Sequence, residues 1–161
     1  MSEDRRQALK MIGGMLGVIG ASLTGYYAVT REGAIDEWVT VGPVADLPVG
    51  EIAMKRVSVT EHGLITSKSV DKVIWLRRTA DEAVEVFSGA CPHYNCTANW
   101  IPEKTLFDCR CHNSVFDPNG KVVSGPSPRP LDTLEHQVAQ GVLSVRYQKF
   151  KKSIPQKVVV T

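Results

Sequence analysis

Cys91-Pro92-His93-Tyr94-Asn95-Cys96 and Cys109-Arg110-Cys111-His112-Asn113-Ser114-Val115-Phe116-Asp117 hold all four cysteines of the chain and two of its four histidines. Each segment pairs one thiol with one imidazole, Cys91 with His93 and Cys109 with His112, in the order Cys-x-His and then Cys-x-x-His, and each keeps a spare cysteine. Two cysteines and two histidines suit either tetrahedral zinc or a 2Fe-2S centre in which two imidazoles replace two thiolates on one iron. Zinc fingers of that composition place both cysteines before both histidines, whereas each segment here is a mixed pair, and zinc gives no reason for Cys96 and Cys111. A framework of disulfides alone leaves both adjacent histidines unexplained. One of its three pairings would also close Cys109 to Cys111 across a single residue.

Working outward, residues 38–42, 52–59, 63–66, 72–78 and 83–87 are short runs rich in Val, Ile, Thr and aromatics with turn residues between them, which predicts an antiparallel all-β domain. Residues 97–101 and 105–108 make a hairpin-like pair around Pro102-Glu103-Lys104, so the fold brings Cys91 and Cys109 together. Asp117-Pro118-Asn119-Gly120 reads as a turn and 121–123 as a short strand, while 135–139 and 143–148 form a closing hairpin turned at Gln140-Gly141. Trp38, Trp75 and Trp100 are expected in or beside the core, His62 and His136 in solvent, and Lys149, Lys151 and Lys152 on an exposed face.

Residues 11–29 carry no charge and are just long enough to cross a hydrocarbon layer as a helix. No polar face appears beyond Ser22 and Thr24, and Tyr26 and Tyr27 suit the aromatic belt of a retained anchor better than the cleavage site of a signal peptide. Arg5, Arg6 and Lys10 precede the span and place the N-terminus in the cytoplasm; residues 4–10 are also similar to a twin-arginine signal. Gly13, Gly17, Ala21 and Gly25 fall at every fourth position, a stripe along which another helix can approach. The chain therefore divides into 1–10 inside, an anchor at 11–29, a polar hinge at 30–37 and a single domain at 38–161, with the cysteine-bearing loops within about 88–130.

At 161 residues and a net charge of +2, the chain has room for one anchored domain and shows no basic stripe for nucleic acid. No paired carboxylates or Ser/His/Asp set suggests hydrolysis.

The two segments resemble the Rieske iron-sulphur proteins, specifically the subunit of cytochrome bc-type quinol oxidoreductases, whose pattern reads C-T-H-x-G-C and C-P-C-H-G-S-x-Y-D followed by Gly-Pro-x-Pro. Cys91, His93, Cys96, Cys109, Cys111, His112, Ser114 and Asp117 match it, with Gly125-Pro126-Ser127-Pro128 after them. Tyr94, Asn95, Arg110, Asn113 and Phe116 stand where Leu, Gly, Pro, Gly and Tyr are common. The resemblance implies an antiparallel Rieske-type β-sandwich with a small cluster-binding subdomain, preceded by one transmembrane helix. It implies a 2Fe-2S cluster held by Cys91 and Cys109 on the inner iron and by His93 and His112 on the outer one. Ser114 is then a donor to sulphur, and Cys96 and Cys111 form a disulfide between the loops, which suits an oxidising compartment.

Replacing two thiolates by neutral imidazoles raises a cluster's potential, and the outer ring nitrogens can take a proton with the electron. The resemblance thus implies a subunit that oxidises quinol on the outer, periplasmic face of a bacterial cytoplasmic membrane, with His93 and His112 at the reacting tip. Its implied partners are cytochrome b, a c-type cytochrome and a second copy of the complex, and it acts catalytically only within that complex. Two alternatives stay open: the small subunit of another exported oxidoreductase such as an arsenite-oxidase-like molybdoenzyme, and a zinc-stabilised structural domain.

Overall fold

In Val142–Gln148 apolar residues alternate with polar ones, and Leu143, Val145 and Tyr147 all turn inward, as a strand with one covered face requires. The same period of two organises the rest of the chain. The computed structural model describes residues 33–80 and 83–161. The anchor at 11–29, its arginine flank and its small-residue stripe lie outside the described residues, among which no helix is long and apolar enough to cross a membrane.

Among the described residues three antiparallel sheets are formed. In the first, β1 (Asp36–Pro43) pairs with β10 (Val142–Gln148), which pairs with β9 (Glu135–Ala139). The second joins β2 (Ile52–His62), β3 (Ser67–Arg78) and β4 (Val84–Ser88). The third carries β5 (Asn99–Ile101), β6 (Leu106–Cys109), β7 (Ser114–Phe116) and β8 (Val122–Ser124).

The second sheet is the shared wall. From β3, Ile74 and Leu76 enter a core with Val57, Val59, Leu143, Val145 and Tyr147, which closes the first two sheets over each other. Trp75 between them faces the opposite way, into a second core with Phe87, Phe107, Phe116, Cys91 and Cys109. Strand β4 divides in the same manner, with Val84 and Val86 in one core and Phe87 in the other. A strand covered on both faces reads as a continuous apolar run, which is why Val73-Ile74-Trp75-Leu76 carries no polar residue.

Several expectations need correction. Residues 63–66 are not a strand but the turn between β2 and β3, closed by Gly63 N donating to Thr66 O at 2.8 Å. Trp38 is 49 % exposed, because alternation along β1 sends Val39 and Val41 inward and leaves Trp38 outside, opposite Arg146. The polar stretch at 30–37 is already part of the domain at its end: Ala34 pairs with His62, Ile35 is fully buried and β1 begins at Asp36. Lys149 is no free surface lysine, since its ammonium meets Glu61 at 2.7 Å.

Burial alone would push the Glu61 carboxyl up, but Lys149, with help from Lys68, holds it below the ordinary value of 4.5. A carboxylate whose value is lowered by folding contributes stability above its unfolded value and loses it as pH falls through the folded one. Lys149→Met should therefore lower the urea midpoint near neutral pH, and the gap to wild type should narrow as pH falls below the ordinary glutamate value. An equal gap at both pH values would show that the pair is not coupled to folding.

Candidate metal centre

Both cysteine-bearing segments are turns at the edge of the second core. The first runs out of β4: Gly89 N donates to Val73 O, Ala98 N to Gly89 O, and Trp75 Nε1 to Ala98 O at 2.9 Å, so β3 grips the loop at both ends. Within it Asn95 N donates to Cys91 O and Cys91 N to Cys96 O, a tight reversal that leaves Asn95 at φ 59°. The second segment is the turn of the β6–β7 hairpin, closed by the pairing of Cys109 with Ser114, and Asn113 also sits at φ 59°. The left-handed region is open to glycine and, among residues with a Cβ, is best tolerated by Asn and Asp. Asparagine therefore suits the two positions where the Rieske pattern commonly has glycine. Gly125 follows in the Gly-Pro-Ser-Pro stretch at φ 92°, and a Cβ there would collide with the Asn113 carbonyl and lie 2.6 Å from Ser114 Cα, so the proline loop presses flush on the second segment.

The four side chains meet two by two. Cys91 and Cys109 are free thiols, 1 % and 2 % exposed, packed in the same buried cluster. Burial first, and then the neighbouring Cys91, pushes the Cys109 thiol up to about 11. The His93 and His112 rings stand edge to face with centroids 4.7 Å apart. Cys96 and Cys111 form a disulfide, Cα atoms 6.5 Å apart, that ties the two turns across their outer side.

Two atoms in this region are buried with no hydrogen-bond partner, His93 Nδ1 and Ser114 Oγ. Unpaired buried polar atoms are rare and call for an explanation. A metal would take up the lone pair of His93 Nδ1 and a sulphide would accept from the Ser114 hydroxyl, so the donor set fits a 2Fe-2S cluster.

The Rieske 2Fe-2S domain model matches residues 37–135, and with them both turns and the proline loop. This chain belongs to the Rieske family. Its cofactor is a 2Fe-2S cluster, and the zinc alternative falls. The iron-sulfur subunit of the cytochrome b6-f complex of Chlorobaculum tepidum is 28 % identical over 148 residues, 88 % of this chain and 75 % of that one. The corresponding subunit of a Synechococcus strain is 33 % identical over 94 residues, 52 % of this chain and 54 % of that one. Among solved structures, the cyanobacterial plasma membrane Rieske protein PetC3 of Synechocystis is similar at 25 % identity and a TM-score of 0.46, over 68 % of this chain and 99 % of that one.

Two contributors to this Rieske site were not read from the sequence. Arg129 is buried; its guanidinium pairs bidentately with Asp132 at 2.9 and 2.8 Å and donates to the Lys151 and Ile154 carbonyls. Ser153 carries the connection on: its N–H donates to Pro92 O and its hydroxyl to His93 O at 2.6 Å, while Lys152 lies over the Tyr94 ring. The C-terminal segment thus straps the proline loop to the first turn. Arg and Asp three residues apart inside Ser-Pro-Arg-Pro-Leu-Asp was the one available signal. Arg110, by contrast, is 83 % exposed and reaches Asp108 at 3.8 Å.

Removing one member of a buried ion pair costs about 3–5 kcal/mol, so Arg129→Met should lower unfolding stability by that order in a denaturant titration. A loss below about 1 kcal/mol would show the strap to be dispensable. Cys96→Ser removes the tie between the turns but neither buried thiol. Iron content should persist while the half-life of the visible absorption under chelator shortens; an unchanged half-life would refute the clamp.

Proposed function

We propose that this chain is the membrane-anchored electron-transfer subunit of a bc-type complex, oxidising quinol, with menaquinol favoured, and passing the electron to a c-type cytochrome. The observation that carries it is the arrangement of the paired donors. Cys91 and Cys109 are sealed in the second core, whereas His112 is exposed and His93 half-buried beside it. We assign Cys91 and Cys109 to the inner iron and His93 and His112 to the outer one. With His93 Nδ1 turned inward, its Nε2 is the atom able to receive a quinol proton, and His112 offers a second such ring at the surface. A bound cluster supplies a one-electron acceptor. The exposed Tyr94 ring, 4.6 Å from His93 and 5.6 Å from His112, walls one side of that tip.

The similarity to b6-f iron-sulfur subunits supports cytochrome partners; the proposal takes these as a cytochrome b and a c-type acceptor and adds a second copy of the complex. Residues 11–29 serve as a single-pass anchor with the N-terminus inside and residues 38–161 on the outer face, and the disulfide suits that oxidising side. Reduced protein should give the electron paramagnetic resonance spectrum of a mixed-ligand 2Fe-2S centre, and full-length chain drawn from its own membrane in mild detergent should bring haem b with it. Co-purification with a molybdoenzyme instead would replace this reading by the arsenite-oxidase-like one.

Phe116 supports the menaquinol preference. It is fully buried in the second core, on the strand that begins with Ser114, where quinol-oxidising Rieske proteins commonly carry a tyrosine that donates to a ligand sulphur. Phenylalanine cannot donate, which leaves Ser114 Oγ as the side-chain donor. A hydrogen bond to a charged group contributes about 1.5 to 3 kcal/mol, and for one electron about 59 mV corresponds to 1.4 kcal/mol. Phe116→Tyr should therefore raise the midpoint potential by the order of 60–130 mV, and Ser114→Ala should lower it, in film voltammetry at fixed pH. A potential that stays put or falls in Phe116→Tyr would remove the support for menaquinol.

A further inference from the structure

Ser153 lies on the exposed C-terminal segment, 60 residues along the chain from His93, yet it holds the backbone on both sides of that ring. Its N–H donates to Pro92 O at 2.9 Å and its hydroxyl to His93 O at 2.6 Å. The Pro92 carbonyl belongs to the peptide unit that ends at His93 N, and the His93 carbonyl to the unit that follows. A peptide unit is planar, so a hydrogen bond to its oxygen restrains the whole unit, and φ and ψ of His93 are the rotations that relate these two planes to its Cα. One residue thus restrains both angles, and with them the direction in which the side chain leaves the backbone. The carbonyl before them, Cys91 O, accepts from Asn95 N inside the turn; the two that flank the ring are bound from outside it.

Ser153 is itself in an uncommon state. At φ 59° it occupies the left-handed region, which residues with a Cβ seldom enter and keep only where their surroundings over-determine them. Arg129 does so here, donating to the carbonyls of Lys151 and Ile154 on either side, while Lys151 N donates to Val158 O. In that conformation the N–H and the hydroxyl of one residue reach two successive carbonyls. The His93 ring has little else to orient it. Among the described residues its buried Nδ1 has no hydrogen-bond partner, and the rings that meet it edge to face are the exposed His112 and Tyr94.

We propose that Ser153 is a positioning residue for the outer iron: by restraining φ and ψ of His93 it holds Nδ1 inward and narrows the range of ring orientations, which makes the C-terminal segment a working part of the cofactor site. This rests on His93 and His112 being ligands.

The left-handed backbone allows aim to be separated from stability. Ser153→Ala removes the hydroxyl and keeps the conformational cost, whereas Ser153→Gly removes the same hydroxyl and relieves that cost; both keep the N–H that Pro92 O accepts. The glycine variant should be the more stable of the two in a denaturant titration. Electron–nuclear double resonance of the reduced, cluster-loaded protein reads the two imidazole nitrogens separately. In both variants one nitrogen coupling should shift and broaden to a similar extent, while the other stays as in wild type. Couplings unchanged in both variants would overturn the proposal, as would a change confined to one variant, because the effect would then follow backbone freedom or stability and not the hydroxyl. Equal disturbance of the two couplings would mean a general loosening, and failure of both variants to hold a cluster would mean a contact that keeps the site together; either result also overturns it. A wild-type spectrum without two nitrogen couplings would remove the ligand assignment, and the proposal with it.

Discussion

The pleat of β3 and β4 is the constraint on which the rest depends. Successive side chains leave a strand on opposite faces, so one short apolar run supplies two cores that share no side chain: Ile74 and Leu76 fasten the first sheet, and Trp75 fastens the third. A slip of one residue in the pairing of Trp75 with Met54 or Phe87 would exchange the faces and would disorder both cores at once. The metal centre is therefore built on the back of the scaffold's main wall. The first turn hangs from it through Val73 O and Trp75 Nε1, which sets Cys91 against that wall.

The imidazole side is held differently. His93 and His112 lie on turns that are joined to one another by the disulfide and to the rest by the C-terminal strap through Ser153 and Arg129. Linking turns Cys96 and Cys111 apart by 15 residues removes about 3 kcal/mol of freedom from the unfolded chain on an entropic account. The buried guanidinium contributes geometry more than net energy, since its desolvation offsets much of the attraction to Asp132. The inner pair thus inherits its position from the core and the outer pair from cross-links, an arrangement that keeps the imidazoles reachable at the surface.

The pairing of thiols and imidazoles was legible because it is local. Cys-x-His and Cys-x-x-His place one of each within a single turn, and the spare cysteines, one in each loop, form the disulfide. The closing hairpin was equally plain, since Gln140 and Gly141 at φ 51° and 75° form the turn that such a pair favours. What sequence could not show is what depends on partners far along the chain. Residues 63–66 have strand composition, and only the pairing of β2 with β3 makes them the reversal. Trp38 faces out because Val39 and Val41 claim the inner face. Lys149 and Arg129 look like surface cations until Glu61 and the Lys151 and Ile154 carbonyls are brought to them by folding.

The first sheet joins the two ends of the domain: Asp36, at the start of β1, lies opposite Gln148, at the end of β10. During synthesis β1 emerges well ahead of β10 and gains no partner on that edge until Val142–Gln148 has followed it. Closing a loop of that span costs conformational entropy that no earlier contact in the sheet repays, and such long-range pairing slows folding. The strap that orders the first metal turn is made later still, from residues 151–154. The first sheet and the strapped turn are therefore the last parts of the domain to close, and that order is set by topology rather than by local preference.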